Sequence, residues 1–389
     1  MSEWKEYRLG DIVTILGGFA YKGEHIGHGE GLLLGMGCVS FKEKFLMSGA
    51  RPYAGDCAER YYANPGDLVL ATRQQSDNLP ILGMPAIIPQ ELDGKKLIVG
   101  ANLYRVSNNS DFSNKYLYWL LKSNAYVNHI ASCKTGTTVS MITKSNVEDF
   151  VFKAPEKQER ARIVSVLSSL DDKIDLLHRE NATLETIAET LFRHYFIENP
   201  NPDWKEGKLG DEFDFTMGQS PSGDSFNEDG VGIPMYQGNA DFGFRFPTKR
   251  VFTTAPTRFA EENDTLISVR APVGAQNMAS ERCCIGRGVA AFKYKWEPFY
   301  SYTYYKLKSL LEDIRQFNDN GTVFGSISKS DFENIDIVIP SKVTIVAFQE
   351  QVEPIDDKIK INQQQIISLS SQRDTLLPRL MSGEVIVGE

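Results

Sequence analysis

The 389-residue chain predicts an α+β fold: two tandem-duplicated globular domains of short strands and helices, followed in the chain by long helices that pair as an antiparallel coiled coil. Three observations carry this expectation. The sequence repeats itself in order across its two halves. At matching places each half shifts from turn-rich sequence to a glycine-free stretch with a seven-residue apolar period. The resulting order is globule, long helix, globule, long helix.

The repeat opens with Trp4-Lys5-Glu6-Tyr7-Arg8-Leu9-Gly10-Asp11, which returns as Trp204-Lys205-Glu206-Gly207-Lys208-Leu209-Gly210-Asp211. Asp67-Leu68-Val69-Leu70-Ala71-Thr72-Arg73 returns as Asp264-Thr265-Leu266-Ile267-Ser268-Val269-Arg270, and the offset has fallen from 200 to 197. It then settles at 185 over a long ungapped stretch. That stretch pairs Gly136-Thr137 with Gly321-Thr322, Ile142-Thr143-Lys144-Ser145 with Ile327-Ser328-Lys329-Ser330, and Leu170-Asp171-Asp172-Lys173-Ile174 with Ile355-Asp356-Asp357-Lys358-Ile359. Same order with a shortened middle means tandem duplication, and a repeat this long is two copies of a domain rather than a solenoid.

Residues 1–155 and 199–340 are the globules. They are rich in Gly, Pro, Asn and aromatics, and short apolar runs such as Leu68-Val69-Leu70, Met84 to Ile88 and Ile335 to Ile339 read as strands between turns. Helical stretches are expected at Asn114 to Ala131 and Tyr300 to Phe317.

Residues 156–198 and 341–389 carry the long helices and the C-terminal tail. Ile163, Leu167, Leu170, Ile174, Leu177, Leu184 and Leu191 step by four and three, with Asn181 in one slot. Phe348, Val352, Ile355, Ile359, Ile366, Leu369 and Leu376 do the same, with Asn362 and Arg373 in two slots. A sustained 3.5-residue spacing is a coiled-coil seam. About 40 residues at 1.5 Å each give a spacer of roughly 60 Å. An Asn in the seam either fixes register or marks a wet, frayed turn. Pro354 is expected to break or kink the second helix. The Asp171-Asp172 and Asp356-Asp357 pairs flank the seam and read as solvated helix faces. Asn199-Pro200-Asn201-Pro202-Asp203 ends the first helix.

Several chemistries leave no trace. There is no G-x-x-x-x-G-K-[ST], and Gly35-Met36-Gly37 lacks the third glycine of a dinucleotide fingerprint. The base-gripping tetrapeptide of amino-group methyltransferases and the G-x-S-x-G elbow are absent. Pro202-Asp203-Trp204-Lys205-Glu206-Gly207-Lys208 spells a nuclease-like P-D-x-x-E-x-K, but its carboxylates sit on one linker and the repeat partner lacks Pro-Asp. Cys38, Cys57, Cys133, Cys283 and Cys284 form no C-x-x-C pair and the five His are scattered, so no metal site is expected. No 18-residue apolar run exists and Met1 to Glu6 has no signal-peptide core, so a cytoplasmic chain without membrane contact is expected.

Two globules with duplicated W-K-x-x-x-L-G-D openings, G-T-x₄-I-x-K-S stretches in both halves and D-D-K-I on each helix resemble the specificity subunit of type I restriction–modification enzymes. Gly218-Gln219-Ser220-Pro221-Ser222 and the closing Leu376-Leu377-Pro378-Arg379-Leu380-Met381-Ser382-Gly383-Glu384 match as well. The resemblance spans essentially the whole chain. It implies that each globule is a target recognition domain reading one half of a bipartite site in double-stranded DNA. It also implies that the helices form an antiparallel spacer that sets the half-site distance and docks modification subunits, two being expected, with restriction subunits attached indirectly. S-adenosylmethionine, ATP and Mg then belong to partner subunits, and the chain itself is neither an enzyme nor a cofactor binder.

Charge qualifies this. The net charge is −9, and bases against acids run 16 to 15 in residues 1–155, 6 to 9 in 156–198, 15 to 20 in 199–340 and 5 to 7 in 341–389. No segment is a basic module, so the isolated chain should hold phosphates weakly. Acidity favours a second reading, an interaction scaffold of two protein-binding globules on a coiled coil; a hydrolase with an unrecognised site is a third. Candidate DNA contacts come from side-chain chemistry. Arg73, Gln74 and Gln75 follow a strand, and Arg270 is the repeat partner of Arg73; a structural salt bridge is the competing role for both arginines. Lys134, Thr135, Thr137, Thr138 and Lys144, with Asn320, Thr322, Ser328 and Lys329, flank the duplicated motif as DNA-facing loops or plain turns. Gln219, Ser220, Ser222, Gln237 and Asn239 complete the set.

Overall fold

The structure, a computed structural model, describes residues 4–41, 43–74, 81–136, 139–270, 272–316 and 326–387. It divides into two compact units: Met1–Asp175 with Ile367–Glu389, and Leu176–Ile366. Each unit thus holds one globule together with a segment of both long helices.

The first globule runs β1 (Lys5–Arg8), the single-turn α1 (Leu9–Ile12), β2 (Val13–Gly17), β3 (Ile26–Leu34), β4 (Ala50–Tyr53), β5 (Tyr62–Ala63), β6 (Leu68–Ala71), β7 (Arg73–Gln74), β8 (Pro85–Ile87), β9 (Leu97–Val99) and β10 (Leu103–Asn108). It continues through α2 (Asn114–Leu120), α3 (Asn124–Cys133), β11 (Ser140–Met141), α4 (Lys144–Glu148) and β12 (Val151–Ala154) into α5 (Lys157–Arg193). An antiparallel sheet β2-β10-β6-β8 lies beside a mixed sheet β4-β3-β9-β5 in which β3 and β9 are parallel. β1 pairs with β12 from Lys5–Ala154 to Arg8–Val151, which closes the globule where its chain enters and leaves.

The second globule repeats this plan. Its elements are β13 (Lys205–Lys208), α6 (Leu209–Glu212), β14 (Phe213–Met217), β15 (Phe226–Asn227), β16 (Ile233–Tyr236), β17 (Val251–Thr253), β18 (Phe259–Ala260), β19 (Thr265–Ser268), β20 (Gln276–Met278), β21 (Cys283–Ile285), β22 (Val289–Tyr294), α7 (Tyr300–Ser309), α8 (Leu311–Arg315), α9 (Lys329–Glu333) and β23 (Asp336–Ile339). The sheets are β14-β22-β19-β20 and β15-β17-β16-β21-β18, again with one parallel pair, β16 and β21. β13 pairs with β23 as β1 does with β12. The runs read from sequence as strands are β6, β8 and β23. The stretch from Asn114 is two helices rather than one, because Ser123 accepts the N–H of Tyr126 and starts a new cap.

The last long helix is α10 (Lys342–Ser382). Both long helices begin just after a proline, Pro155 or Pro340, and α5 ends in a π turn, His194–Glu198, before the Asn-Pro segment. In the first unit Ile163 and Leu167 of α5 share a buried core with Leu377, Leu380 and Met381 of α10 and with Trp119 and Tyr116 of the globule. In the second, Ala188 and Phe192 are buried with Ile345, Phe348 and Val352. There Asn181 faces Asn362, whose Nδ2 donates to the Asn181 Oδ1 at 2.9 Å, and Gln351 donates to the Tyr195 hydroxyl at 2.7 Å. One helix advances as the other recedes, so the pairing is antiparallel. Among seam positions Ile163, Leu167, Ile174, Leu177, Asn181, Phe348, Val352, Ile359, Asn362 and Ile366 are buried, while Leu170, Leu184, Leu191, Ile355, Leu369 and Leu376 are half-buried.

Two expectations are corrected. Pro354 does not break α10, which continues through it. Its ring lies on the exposed side, and the seam packing on either side holds the turn despite the lost donor. Only half of each aspartate pair is a solvated face: Asp172 and Asp357 are exposed, but Asp171 and Asp356 are 2% and 5% exposed. Asp171 accepts from Arg373 of α10 at 2.6 Å, and Lys44 of the globule lies 3.5 Å from its other oxygen while pairing with Asp172 and Asp175 at 2.6 and 2.8 Å. In the second unit Arg245, 1% exposed, bonds Asp356 at 2.9 Å and the Tyr305 hydroxyl at 2.7 Å and stacks on Tyr304 at 3.9 Å. In both units a globule cation answers a buried helix carboxylate.

Removing one partner of such a pair leaves a buried charge uncompensated, which costs about 3–5 kcal/mol. Arg245→Ala should therefore lower unfolding stability by about that amount in chemical denaturation, whereas Arg245→Met with Asp356→Leu should recover most of it. A second expectation concerns pH. Glu212 is fully buried, and burial pushes its carboxyl up to about 7 despite nearby Lys306 and a 2.8 Å bond from the Tyr302 hydroxyl. A raised carboxyl favours folding below its unfolded value near 4.5, and that contribution disappears as pH rises through about 7. The wild-type melting temperature should fall between pH 5 and pH 8 as Glu212 ionises, and Glu212→Gln should flatten that fall.

Candidate nucleic-acid interface

Each globule brings the same backbone segments to one end of its antiparallel sheet. In the first unit Gly18 N–H donates to Leu103 (3.1 Å), Phe19 to Val99 (2.7 Å) and Gly100 to Leu34 (2.9 Å). Thr72 donates to Asn102 and Ile142 to Thr72, both at 3.1 Å. The second unit reproduces these bonds: Gly218 to Val289 (2.9 Å), Gln219 to Ile285 (3.0 Å), Gly286 to Tyr236 (2.8 Å), Val269 to Gly288 (2.9 Å) and Ile327 to Val269 (3.2 Å). A Cβ on Gly18 would fall on the Gly100 carbonyl, and one on Gly218 on the Gly286 carbonyl. Only glycine allows the two chains to cross so closely. The crossing makes a rim of exposed side chains on a rigid backbone.

The rim gathers residues far apart in sequence. β7 pairs with β11, setting Arg73 opposite Met141, and Arg270 bridges Ser326 in the same register. Both arginines are exposed and form no ion pair among the described residues, so the salt-bridge role is not seen. Thr143 and Ser328 cap α4 and α9 through capping boxes, Thr143 with Asn146 and Ser328 with Asp331. The Ser328 hydroxyl is thus committed to the fold. Lys144 and Lys329, the next residues, are exposed; Lys144 lies over Gly17, while Lys329 sits 5.9 Å over the Phe215 ring and 3.5 Å from Glu333.

Other candidates separate. Gln74 is 7% exposed and its Oε1 accepts the Leu82 N–H at 3.1 Å, so it is turned into the globule rather than toward DNA, because that buried amide needs an acceptor. Gln75, Thr137, Thr138, Asn320 and Thr322 lie outside the described residues. Lys134 and Thr135 are exposed, and Thr135 exchanges backbone bonds with Met141 beside Arg73. Gln219 and Gln237 are exposed, and the Ser220 hydroxyl accepts the Arg287 N–H at 3.2 Å. Ser222 and Asn239 are exposed at the starts of short 3₁₀ turns. Sequence reasoning missed Asn102 and the exposed Arg287, because between the offsets of 197 and 185 the halves share almost nothing but Gly100 and Gly286. It also missed Lys44 and Arg245.

Superposing the two hydrogen-bond patterns sorts the rim by chemistry. Arg73 matches Arg270, Lys144 matches Lys329, and Thr143 matches Ser328. Phe19 faces Gln219, Gly35 faces Gln237 and Ala101 faces Arg287 in the comparison, so these positions differ in kind. A rim with shared cations and unshared hydrogen-bonding side chains suits a partner with a constant backbone and a variable text.

The model of the type I restriction modification DNA specificity domain matches residues 1–186 and again residues 201–371. The chain belongs to that family. It is a type I restriction–modification specificity subunit with two copies of the domain. It is similar to the putative type I restriction enzyme MjaX specificity subunit of Methanocaldococcus jannaschii, 29% identical over 75% of this chain and 73% of that one. It is also similar to the HindI specificity subunit of Haemophilus influenzae, 24% identical over 99% of this chain and all of that one. The crystal structure of a type I restriction-modification S subunit from M. genitalium shares the fold with a TM-score of 0.63 at 18% identity, covering 98% of this chain and 96% of the other. Among the described residues no helix is long and apolar enough to cross a membrane.

For this specificity subunit, Arg73→Ala and Arg270→Ala should weaken binding to duplex DNA of any sequence when the modification subunit is present. Each should reduce the slope of log affinity against log salt by about one, with the ranking of target sequences unchanged.

Proposed function

We propose that each globule presents its rim to the DNA duplex and reads one half of a bipartite target, and that the paired long helices set the number of unread base pairs and dock two modification subunits. The observation that carries this is the rim itself: one backbone path, built twice, with shared cations and different reading side chains. Two related frames suit two half-sites met in related ways about one helical turn apart, roughly 34 Å. The acidic chain leaves much of the phosphate neutralisation to its partners, with the rim cations supplying local attraction.

The chain on this reading has no catalytic step of its own. Methyl transfer from S-adenosylmethionine and ATP- and Mg-dependent cleavage take place on partner subunits, with restriction subunits joined indirectly, and the complex works in the cytoplasm. Acidic charge is what favours the scaffold reading, and Arg73 and Arg270, exposed at equivalent places and without an ion pair among the described residues, weigh against it.

The test is to coexpress the chain with its modification subunit and map every methylated base in the host genome. A split motif with a fixed unread gap is expected. Removing one heptad from each long helix, around the facing Asn181 and Asn362, shortens the pair by roughly 10 Å and should close that gap by about three base pairs. Methylation with no split motif, from a modification subunit that is active with another specificity chain, would overturn the proposal and promote the scaffold.

A further inference from the structure

Resting on the proposed function, we propose that Arg287 is a specificity-determining residue, reading a guanine in the half-site met by the second globule, with Gln219 and Gln237 beside it as base-edge readers. The backbone of Arg287 is tightly held. Its own N–H donates to the Ser220 hydroxyl at 3.2 Å. The preceding residue, Gly286, donates to Tyr236 at 2.8 Å, and the following one, Gly288, accepts from Val269 at 2.9 Å. Three consecutive residues are therefore tied to three different strands or loops. The side chain, by contrast, is exposed and has no ion-pair partner among the described residues.

A pinned backbone with a free guanidinium is what direct readout needs, since the fork must reach a base edge from a fixed origin. Gln219 is placed by its backbone N–H bond to Ile285, and Gln237 lies against Gly286, so both exposed residues are anchored next to the backbone that carries the arginine. Arg suits the paired acceptors of guanine, and Gln the donor and acceptor of adenine.

The internal comparison separates this role from phosphate binding. A phosphate contact serves any half-site, so it should recur in both units, as Arg73 with Arg270 and Lys144 with Lys329 do. At the Arg287 position the first unit has Ala101, at Gln219 it has Phe19, and at Gln237 it has Gly35. All three hydrogen-bonding groups are private to the second unit, on a backbone path that both units share. Difference on a common frame is the mark of a reader.

The experiment uses the full chain with its modification subunit, and compares genome-wide methylation by wild type, Arg287→Ala, Arg287→Gln and Arg287→Lys. Wild type should methylate a split motif. Arg287→Ala should lose discrimination at one G·C pair in one half-site, on the order of 10- to 100-fold, while the other half-site and the gap stay as they were. Arg287→Gln should shift preference at the same position toward A·T, and Arg287→Lys should keep guanine with a weaker margin. The untouched half-site and an unchanged melting temperature show that the variants fold. If wild type gives a split motif and both half-sites survive Arg287→Ala intact, the inference is overturned. A uniform slowing at all sites, with the motif unaltered, makes Arg287 a phosphate contact and overturns it as well. Absence of any split motif from wild type is a failure of the underlying reading instead.

Discussion

A carboxylate buried on each long helix is the constraint on which the rest of the structure depends. Asp171 and Asp356 occupy equivalent places in the repeat: Asp356 is met inside its unit by Arg245 of the globule, and Asp171 by Arg373 of α10, with Lys44 of the globule 3.5 Å from its other oxygen. A buried charge without such a partner is too costly to keep. These ion pairs orient the helix segment against the globule within each unit, and apolar packing around Trp119 in one and Phe348 in the other fills the space between them. Hydrophobic burial supplies most of the stability, while the ion pairs supply direction.

That direction matters at the far end of each sheet. The rim residues are carried on backbone crossings that admit only glycine, so their origins are fixed to the same frame as the helices. A protein that reads sequence needs this combination: side chains free to bond a base, on a backbone that is not free to move. The two units share the frame and the cations and differ in the hydrogen-bonding side chains set on it. Duplication accounts for the first property and divergence for the second.

Much of the fold was legible in the sequence because its signals are local or repeated. The heptad spacing from Ile163 to Leu191 and the D-D-K-I repeat are visible without any structure, and the two long helices and their antiparallel pairing follow from them. What was not legible depends on partners distant in sequence. Asp171 reads as a surface residue until Lys44 and Arg373 are brought to it, and Gln74 reads as a free reader until Leu82 claims its carbonyl. Pro354 reads as a helix breaker because propensity carries no information about packing on either side. Arg287 leaves no trace in the repeat, since the side chains that differ between units are the ones an internal alignment cannot pair; only the shared hydrogen bonds of Gly100 and Gly286 align it with Ala101.

The most direct measurement of the central claim is site-specific photo-crosslinking to duplex DNA in the assembled complex. A crosslinking amino acid would be placed in turn at Lys144, at Lys329 and at Trp296, which lies past the opposite end of β22 and is 63% exposed. The account predicts crosslinks from Lys144 and from Lys329 to different half-sites, and none from Trp296. Crosslinks from Trp296 with silence at both lysines would place the DNA on the wrong end of the sheet and contradict it.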